Sequence, residues 1–439
     1  MSFSLEKFID YFFLVPTIFI VLASIVLSFS TRFLQLRVIK QMFKLLFDSI
    51  TSKEIEGEKT VKPHKALFTA MSTIIGIAVI VGPVVTIQLG GPGALVYFLL
   101  TNIFGSILSY AEVTFAVTYR KRLPDGTIMG GPMEYIKEAL SSFFASWYAI
   151  ACFILLLFWT SLQANTVADM LSEYYIPTWT SGILLSILIL FTLVGGIKRI
   201  GNFSEKLVPI MFFLYSGSAL FIVLANFSQI PKVLDLMLRS AFSPKAILGG
   251  TAVGGLVQTI RFGLLKGINS HEAGIGTGAI PHSMAEVKDP KMQGILSILS
   301  IYSHGFLCFI SGLVVLLTGT WQDPTIRFGA TAMTKSFGMY FSSLGPILLT
   351  LSTVLFGFGT ILGNSYNGEQ CYKYFLKNKH KKIYYISVAI WIFIGSVAPV
   401  KTMWIIPDFF LILVAIPHII GILVLSFKRK DLLIIDKNK

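Results

Sequence analysis

The chain contains about eleven apolar stretches of roughly 20 residues or more, and no other feature limits its fold as strongly. Backbone amides and carbonyls find no water inside a bilayer, so stretches of this length cross it as helices that satisfy their own hydrogen bonds. The sequence therefore predicts an all-α, polytopic membrane protein. The predicted spans lie near residues 11–30, 66–89, 93–118, 143–166, 180–197, 206–226, 247–279, 293–319, 341–366, 383–400 and 403–427.

Composition excludes several other classes of protein. Charged residues make up 13% of the chain, whereas soluble domains usually contain about 25%. The spans use almost all of the 439 residues, which leaves no room for a soluble catalytic domain. The sequence has no serine nucleophile elbow, no zinc-ligand spacing and no glycine-rich phosphate loop, so we predict that it is not an enzyme.

The net charge of +14 could suggest nucleic acid as a partner, but the positions of the basic residues favour a membrane topology instead. They concentrate in alternate loops, and that face of the membrane carries about 27 of the 36 Lys and Arg residues. Cytoplasmic loops carry the excess of positive charge. We therefore predict a plasma (inner) membrane protein with its amino terminus outside, its carboxyl terminus in the cytoplasm and no nucleic acid partner.

One stretch, Arg261 to His282, is too polar for its place inside a predicted span. Glycines free the backbone from helical dihedrals, and intramembrane ionisable groups by default mark a functional site. The stretch therefore predicts a broken helix around a polar site. The glycines are Gly267, Gly274, Gly276 and Gly278, and the polar residues around them include Lys266, His271, Glu272 and Thr277.

A second interruption, Gly76 to Pro83, lies in the span near 66–89. Proline and nearby glycines both weaken a membrane helix. If the leading span is set aside, the two interruptions fall in the first and sixth of ten spans. This pattern is typical of two inverted five-helix repeats that bind substrate and ions where both helices unwind.

This organisation predicts four segments along the chain. Residues 1–65 form the leading transmembrane helix and an amphipathic helix on the inner leaflet of membrane lipid, whose apolar face begins at Phe33 and Leu36. Residues 66–230 form the first repeat, 231–427 the second repeat, and 428–439 a cytoplasmic tail.

Six short motifs, in order along the chain, resemble those of the alanine or glycine:cation symporter family. Members of that family are similar in fold to the leucine transporter and carry small neutral amino acids, usually with sodium. The resemblance runs from about Ala66 to Cys371. The motifs are Leu89-Gly90-Gly91-Pro92-Gly93-Ala94, Gly130-Gly131-Pro132-Met133-Glu134-Tyr135-Ile136, Gln163-Ala164-Asn165, Gly195-Gly196-Ile197-Lys198-Arg199-Ile200, Glu272-Ala273-Gly274-Ile275-Gly276 and Thr360-Ile361-Leu362-Gly363.

The chain departs from the family pattern at three places. Val79 stands where the family usually has Asn, and His271 replaces the Asn of the N-E-A-G motif. Tyr302-Ser303-His304 replaces the usual I-D-T. These departures leave the choice between alanine and glycine, the coupling ion and the oligomeric state open.

An amino acid carries a carboxylate and an ammonium, and unwound helices supply free amides for the first and free carbonyls for the second. On this basis, and by resemblance, we predict the substrate site and a sodium (Na+) site. The substrate residues are Gly76, Ala78, Val79, Gln163, His271, Glu272, Gly274, Gly276, Thr360 and Asn364. The sodium residues are Gly76, Gly359 and Thr360.

Some of these residues have alternative roles. Glu272 could instead be a structural acid paired with Lys266 or Arg261, and Gln163 could bridge two helices. His271 or Glu272, with His304 nearby, could carry a proton in place of sodium, because histidine changes charge between about pH 5 and 8. A transporter relic that only senses its ligand is a further alternative. For Glu112, a structural role near the inner surface is favoured.

Overall fold

The computed structural model describes residues 5–52, 60–123, 126–242, 255–323, 329–376 and 380–435. The first half of the chain comprises helices α1 (Leu5–Ser30), α2 (Leu34–Arg37), α3 (Ile39–Thr51), α4 (Pro63–Ile74), α5 (Ala78–Gly90), α6 (Ala94–Thr118), α7 (Pro132–Ala139), α8 (Ser142–Ser172), α9 (Thr178–Leu193) and α10 (Gly196–Ala225). The second half comprises α11 (Ile230–Phe242), α12 (Leu256–His271), α13 (Ala279–His282), α14 (Pro290–Thr318), α15 (Ala330–Phe341), α16 (Leu344–Leu376), α17 (Lys381–Val397) and α18 (Val400–Lys428).

Helices dominate the described residues, which confirms the predicted all-α class. The strands are β1 (Lys121–Arg122) and β2 (Ile128–Met129), which pair as a short antiparallel hairpin between α6 and α7. The sequence prediction missed this hairpin, because two residues are too few for an alternating pattern.

Six described helices are long and apolar enough to cross a membrane, and the bent pair α4 and α5 brings the number to seven if it is one span. Leu14–Ser30 and Thr178–Leu193 are apolar but shorter. The predicted span near 247–279 begins in residues 243–254, which lie outside the described part of the chain. The number of eleven spans therefore stays a prediction.

Helices at matching positions in the two halves contact each other. With the leading helix α1 set aside, α5 contacts α12, α6 contacts α14, α8 contacts α16 and α9 contacts α17. Each pair joins a helix of the first five to its counterpart in the second five. This is the packing expected of two inverted repeats.

The first break lies at residues 75–77, where α4 ends and α5 begins at an angle of 40°. A side chain at Gly76 would collide with the Thr360 hydroxyl, so only glycine lets α16 approach this closely. Pro83 lies inside α5, one turn beyond the break. Of the predicted interruption from Gly76 to Pro83, only the first two residues lie in the break, and the rest belongs to α5.

The second break covers residues 272–278, between α12 and α13. Its backbone takes left-handed values at Glu272 (φ 59°), Gly274 (φ 93°) and Gly276 (φ 89°). Gly267, which the sequence suggested as part of the break, lies inside α12. A Cβ there would lie 3.0 Å from the Phe98 carbonyl oxygen, so this glycine serves close packing of α12 on α6.

The predicted inner-leaflet helix is present in two pieces. α2 and α3 are separate helices that meet at Val38. Leu36, Ile39 and Phe43 are exposed, whereas Leu34 and Met42 are buried against the other helices. An exposed apolar face beside basic residues is what a helix on a lipid surface requires, and the lipid contact itself stays a prediction.

Close packing of α17 on α8 gives a test of the fold. A Cβ on Gly395 would lie 2.6 Å from Cα and 2.8 Å from the carbonyl carbon of Ser161, and backbone atoms cannot move aside easily. We expect Gly395→Val to destabilise the protein by about 1–3 kcal/mol, the usual cost of overpacking, and to lower its melting temperature in detergent. The control is Gly217→Val, because a Cβ on Gly217 meets no atom within 4 Å. Equal melting temperatures for both variants would contradict this packing.

Candidate functional site

The two breaks meet at one cavity of about 530 Å³. Elements α4, α5, α8, α12, α15 and α16 supply most of its wall. Six of the predicted site residues line it, namely Gly76, Ala78, Gln163, Glu272, Thr360 and Asn364. The structure thus brings together residues that are separated by almost 300 positions in the chain.

The other predicted site residues lie behind the wall of the cavity. The buried Val79 accepts a hydrogen bond at its carbonyl from the Ser311 hydroxyl of α14, 2.7 Å away. Gly274 and Gly276 face Ile20 and His418, respectively. Gly359 packs against Leu207 and Ser72, and His271 lies against Gly105 of α6.

One end of the cavity is electropositive because α5 begins there. The first amides of a helix have no partner within it and form the positive end of its dipole. Gly76, Ile77 and Ala78 line the cavity at this point. The Ile77 amide donates to Gln163 Oε1 over 3.4 Å, so the predicted bridge between helices exists and Gln163 also faces the cavity. A carboxylate suits this end.

Elsewhere on the wall, the carboxyl end of α12 supplies partial negative charge, with Lys266 one turn earlier on the same helix. The last carbonyls of a helix are unpaired and form the negative end of its dipole. Asn269, Ser270 and Glu272 line this part of the wall. Glu272 Oε2 accepts a 2.5 Å hydrogen bond from the Thr277 hydroxyl, and among the described residues no Lys or Arg side chain forms an ion pair with it. An ammonium suits this end.

Three oxygen atoms gather where α4 ends. The Thr360 hydroxyl of α16 donates to the Ser72 carbonyl at 3.1 Å and reaches the Thr73 carbonyl at 3.4 Å. Carbonyl and hydroxyl oxygens are ligands for hard cations, and the carboxyl end of a helix carries partial negative charge. The cluster is therefore suited to a small cation beside the cavity.

Asn364 is 1% exposed, and neither atom of its side-chain amide has a hydrogen-bond partner within the described structure. It lies one turn beyond Thr360 on α16 and lines the cavity. An unsatisfied buried polar group costs about 1–3 kcal/mol. Such a cost is expected where a ligand or water supplies the missing bonds.

Several polar residues of the wall are absent from the predicted substrate and sodium sets, although Lys266 is one of the polar residues of the interrupted span. Lys266, Asn269 and Ser270 line it from α12, and Asp169 lines it from α8. The signal that could have found the α12 residues is their spacing, because residues three and four apart share one helix face. Asp169 is exposed and lies six residues after Gln163 on α8. Residues six apart do not share one face of a helix, so this spacing gave no sign that both line the cavity.

The two histidines considered as proton carriers do not line this cavity. His304 forms hydrogen bonds with Ser270 (2.8 Å) and with Asn102 of α6 (2.9 Å). Its ring centroid lies 6.1 Å from that of His271. His304 of α14 therefore ties α12 to α6, whereas His271 packs against Gly105 of α6 and accepts from the Ala273 amide.

Comparisons with known proteins agree with this architecture. A family model described as the sodium:alanine symporter family matches residues 4–433. An uncharacterized transporter of Haemophilus influenzae is 32% identical over 403 residues, which cover 90% of this chain and 87% of that one. The sodium/alanine symporter AgcS of Methanococcus maripaludis is 31% identical over 416 residues, which cover 92% and 89%.

Solved structures extend the comparison to the fold. A Na+-coupled sialic acid symporter in a substrate-bound, outward-open state is similar with a TM-score of 0.53. The two chains are 13% identical, and the match covers 93% of this chain and 82% of that one. At this identity the likeness concerns the fold alone.

The position of the cavity can be tested with engineered cysteines. The native cysteines Cys152, Cys308 and Cys371 are all buried, so they give a low background. We expect a membrane-impermeant thiol reagent to label Asp169→Cys and Ala330→Cys, which line the cavity at an exposed and a half-buried position, and to spare Val79→Cys, which is fully buried. The reagent should act from the side opposite the basic loops. Labelling of Val79→Cys at an equal rate would contradict this placement.

Proposed function

The chain belongs to the sodium:alanine symporter family, and from this premise we propose that it carries a small neutral amino acid, alanine or glycine, together with sodium. It is an integral membrane protein and a secondary transporter, as its relatives are, and not an enzyme. The proposed direction is uptake across the plasma membrane, driven by the sodium gradient.

The observation that carries this proposal is the opposite polarity of the two helix ends in one cavity. Gly76, Ile77 and Ala78, at the amino-terminal end of α5, line the place where a substrate carboxylate would lie. The α12 carbonyls and Glu272 face the place where its ammonium would lie. Only a ligand with both charges close together satisfies both ends, which is the chemistry of an α-amino acid.

We propose a ligand without a charged side chain, because much of the remaining wall is apolar, although Lys266 and Asp169 also line it. Ile77, Val81, Trp159 and Leu162 contribute apolar surface beside the polar ends. Gln163 would orient the carboxylate by donating from Nε2, since its Oε1 already accepts from the Ile77 amide. The alternating-access cycle would then rock the helices around the two breaks while the ligand stays near the middle.

Sodium is the proposed coupling ion, bound by oxygen atoms beside the substrate. The Thr360 hydroxyl and the Ser72 and Thr73 carbonyls provide part of its coordination shell. Gly76 and Gly359, which the sequence suggested, lie next to this cluster. The name of the relative AgcS, a sodium/alanine symporter, agrees with this choice.

The first test is uptake of labelled alanine and glycine by purified protein in proteoliposomes, with an inward sodium gradient, an inward proton gradient or neither. We expect accumulation with the sodium gradient. In Thr360→Val, which keeps the shape but loses the hydroxyl ligand, we expect the sodium concentration for half-maximal uptake to rise about tenfold or more, the size of a lost charge-assisted contact.

The control for this substitution is Thr353→Val on the same helix, because the Thr353 hydroxyl bonds only to the Leu349 carbonyl of its own helix. Equal sodium dependence in both variants would contradict the assignment of Thr360. Accumulation with the proton gradient alone would favour proton coupling. No uptake under any gradient would favour a ligand-sensing relic over a carrier.

Substrate recognition can be tested at Asn364. If its unpartnered amide bonds to the substrate, directly or through water, then Asn364→Leu removes those bonds. We expect the alanine concentration for half-maximal uptake to rise about fivefold to a hundredfold. The control is Thr166→Val, since the Thr166 hydroxyl also lies at the cavity but bonds to the Leu162 carbonyl. An unchanged value in Asn364→Leu would place the substrate elsewhere.

A further inference from the structure

The unwound segment 272–278 has a rear face, turned away from the cavity, that is held by an acid and a histidine. Glu112 of α6 accepts a 2.7 Å hydrogen bond from the Gly274 amide. His418 of α18 bonds through Nδ1 to the Gly274 carbonyl at 2.8 Å. One glycine thus has its amide and its carbonyl held by two titratable side chains from two helices.

The protonation of His418 is fixed at one ring nitrogen and open at the other. A carbonyl can only accept, so Nδ1 carries a hydrogen in its bond to Gly274. Nε2 lies 2.6 Å from the Tyr135 hydroxyl and 3.8 Å from Glu112 Oε1. It can accept from Tyr135 when neutral, or carry a second proton opposite the carboxylate.

Among the described residues, no other group forms an ion pair with this pair. Glu112 is 2% exposed and His418 is fully buried. Within the described residues, His418 is the only basic side chain that lies within ion-pair distance of Glu112. An ionised Glu112 beside a neutral His418 would leave a buried charge without a partner, which is costly. One added proton, on either residue, neutralises the pair.

The other titratable groups that the structure describes around the pair do not supply a positive charge. They are Glu272 on the unwound segment, Tyr135 on α7, and Tyr148 and Cys152 on α8. Tyr148 donates to the Ile275 carbonyl at 2.8 Å and so also holds the segment. A negative charge on Glu272 adds to the need for a proton on the pair.

We propose that Glu112 and His418 form a proton-binding site behind the unwound segment, so that transport is coupled to proton movement as well as to sodium. This inference rests on the proposed function, because it assigns the site to the transport cycle. The proton binds to a carboxylate oxygen of Glu112 or to Nε2 of His418, and no other bond forms or breaks.

The geometry connects this proton to the substrate through one short segment. Glu272 faces the cavity from the front of the segment, and Gly274 is held at its rear two residues later. A charged carboxylate accepts more strongly from an amide than a neutral one. Protonation of Glu112 therefore weakens the hydrogen bond that it accepts from the Gly274 amide. Loss of the proton leaves a buried negative charge, which favours a conformation in which this charge reaches water. Each step biases the segment toward a different state.

The test compares Glu112→Gln with the wild-type protein in proteoliposomes loaded with a fluorescent pH indicator. Gln mimics the neutral acid and still accepts from Gly274. With saturating sodium and alanine, we expect the wild-type uptake rate to change about fivefold or more between pH 5 and 8. We expect Glu112→Gln to change less than about twofold and to lose proton movement during uptake.

A second variant and a matched control keep the test independent of folding defects. His418→Asn retains an N–H for the Gly274 carbonyl and loses Nε2, so it should also flatten the pH profile. His282→Asn is the same substitution at a buried histidine of α13 that bonds to Gln293 and not to Gly274, and it should keep the wild-type profile. Identical pH profiles and proton movement in wild type and Glu112→Gln would overturn the proposal.

Failure of the proposed function would be distinguishable. If the wild-type protein takes up neither alanine nor glycine under any gradient, the proposed function fails. The proton site is then tested by infrared spectroscopy of purified protein. A protonated-carboxyl band that titrates in wild type and is absent in Glu112→Gln supports the site, and a band that is unchanged in the variant overturns it.

Discussion

The absence of water at bilayer depth is the constraint on which the rest of this structure depends. Unwinding residues 272–278 frees amides and carbonyls that must find partners within the protein. The partners come from helices far apart in the chain, because Glu112, Tyr148, Asn367 and His418 bond to the backbone of this segment. The segment therefore fixes where α6, α8, α16 and α18 lie relative to each other, and α8 and α16 supply part of the cavity wall.

The two breaks satisfy this constraint in different ways. At the second break, protein side chains occupy both the amide and the carbonyl of Gly274, so Glu272 is what remains for the cavity. At the first break, Gly76, Ile77 and Ala78 line the cavity, and the side-chain bond recorded there is the long contact from the Ile77 amide to Gln163. The backbone of the first break can therefore bond to a ligand. At the second break, most of the backbone groups already bond to side chains of the surrounding helices.

This difference explains how far the sequence could predict the site. Glycine content and polarity located both breaks, and the resemblance led to Gln163, Thr360 and Asn364, which line the cavity. Local pattern could not tell which face of an irregular segment meets the cavity, so Gly274 and Gly276 were assigned to substrate although they face the scaffold. Nor could it find the partners of Gly274, which lie 162 positions earlier and 144 positions later in the chain.

The departures from the family pattern have the same explanation. Val79 is fully buried, and its carbonyl bonds to Ser311, so this position serves the packing of α5 on α14. His304 bonds to Ser270 and Asn102, which joins α12 to α6 behind the cavity wall. Since the cavity wall includes neither position, the changed residues alter the support of the site and leave its two charged ends intact. A zwitterionic substrate therefore stays compatible with a chain that has lost the family's Asn at position 79.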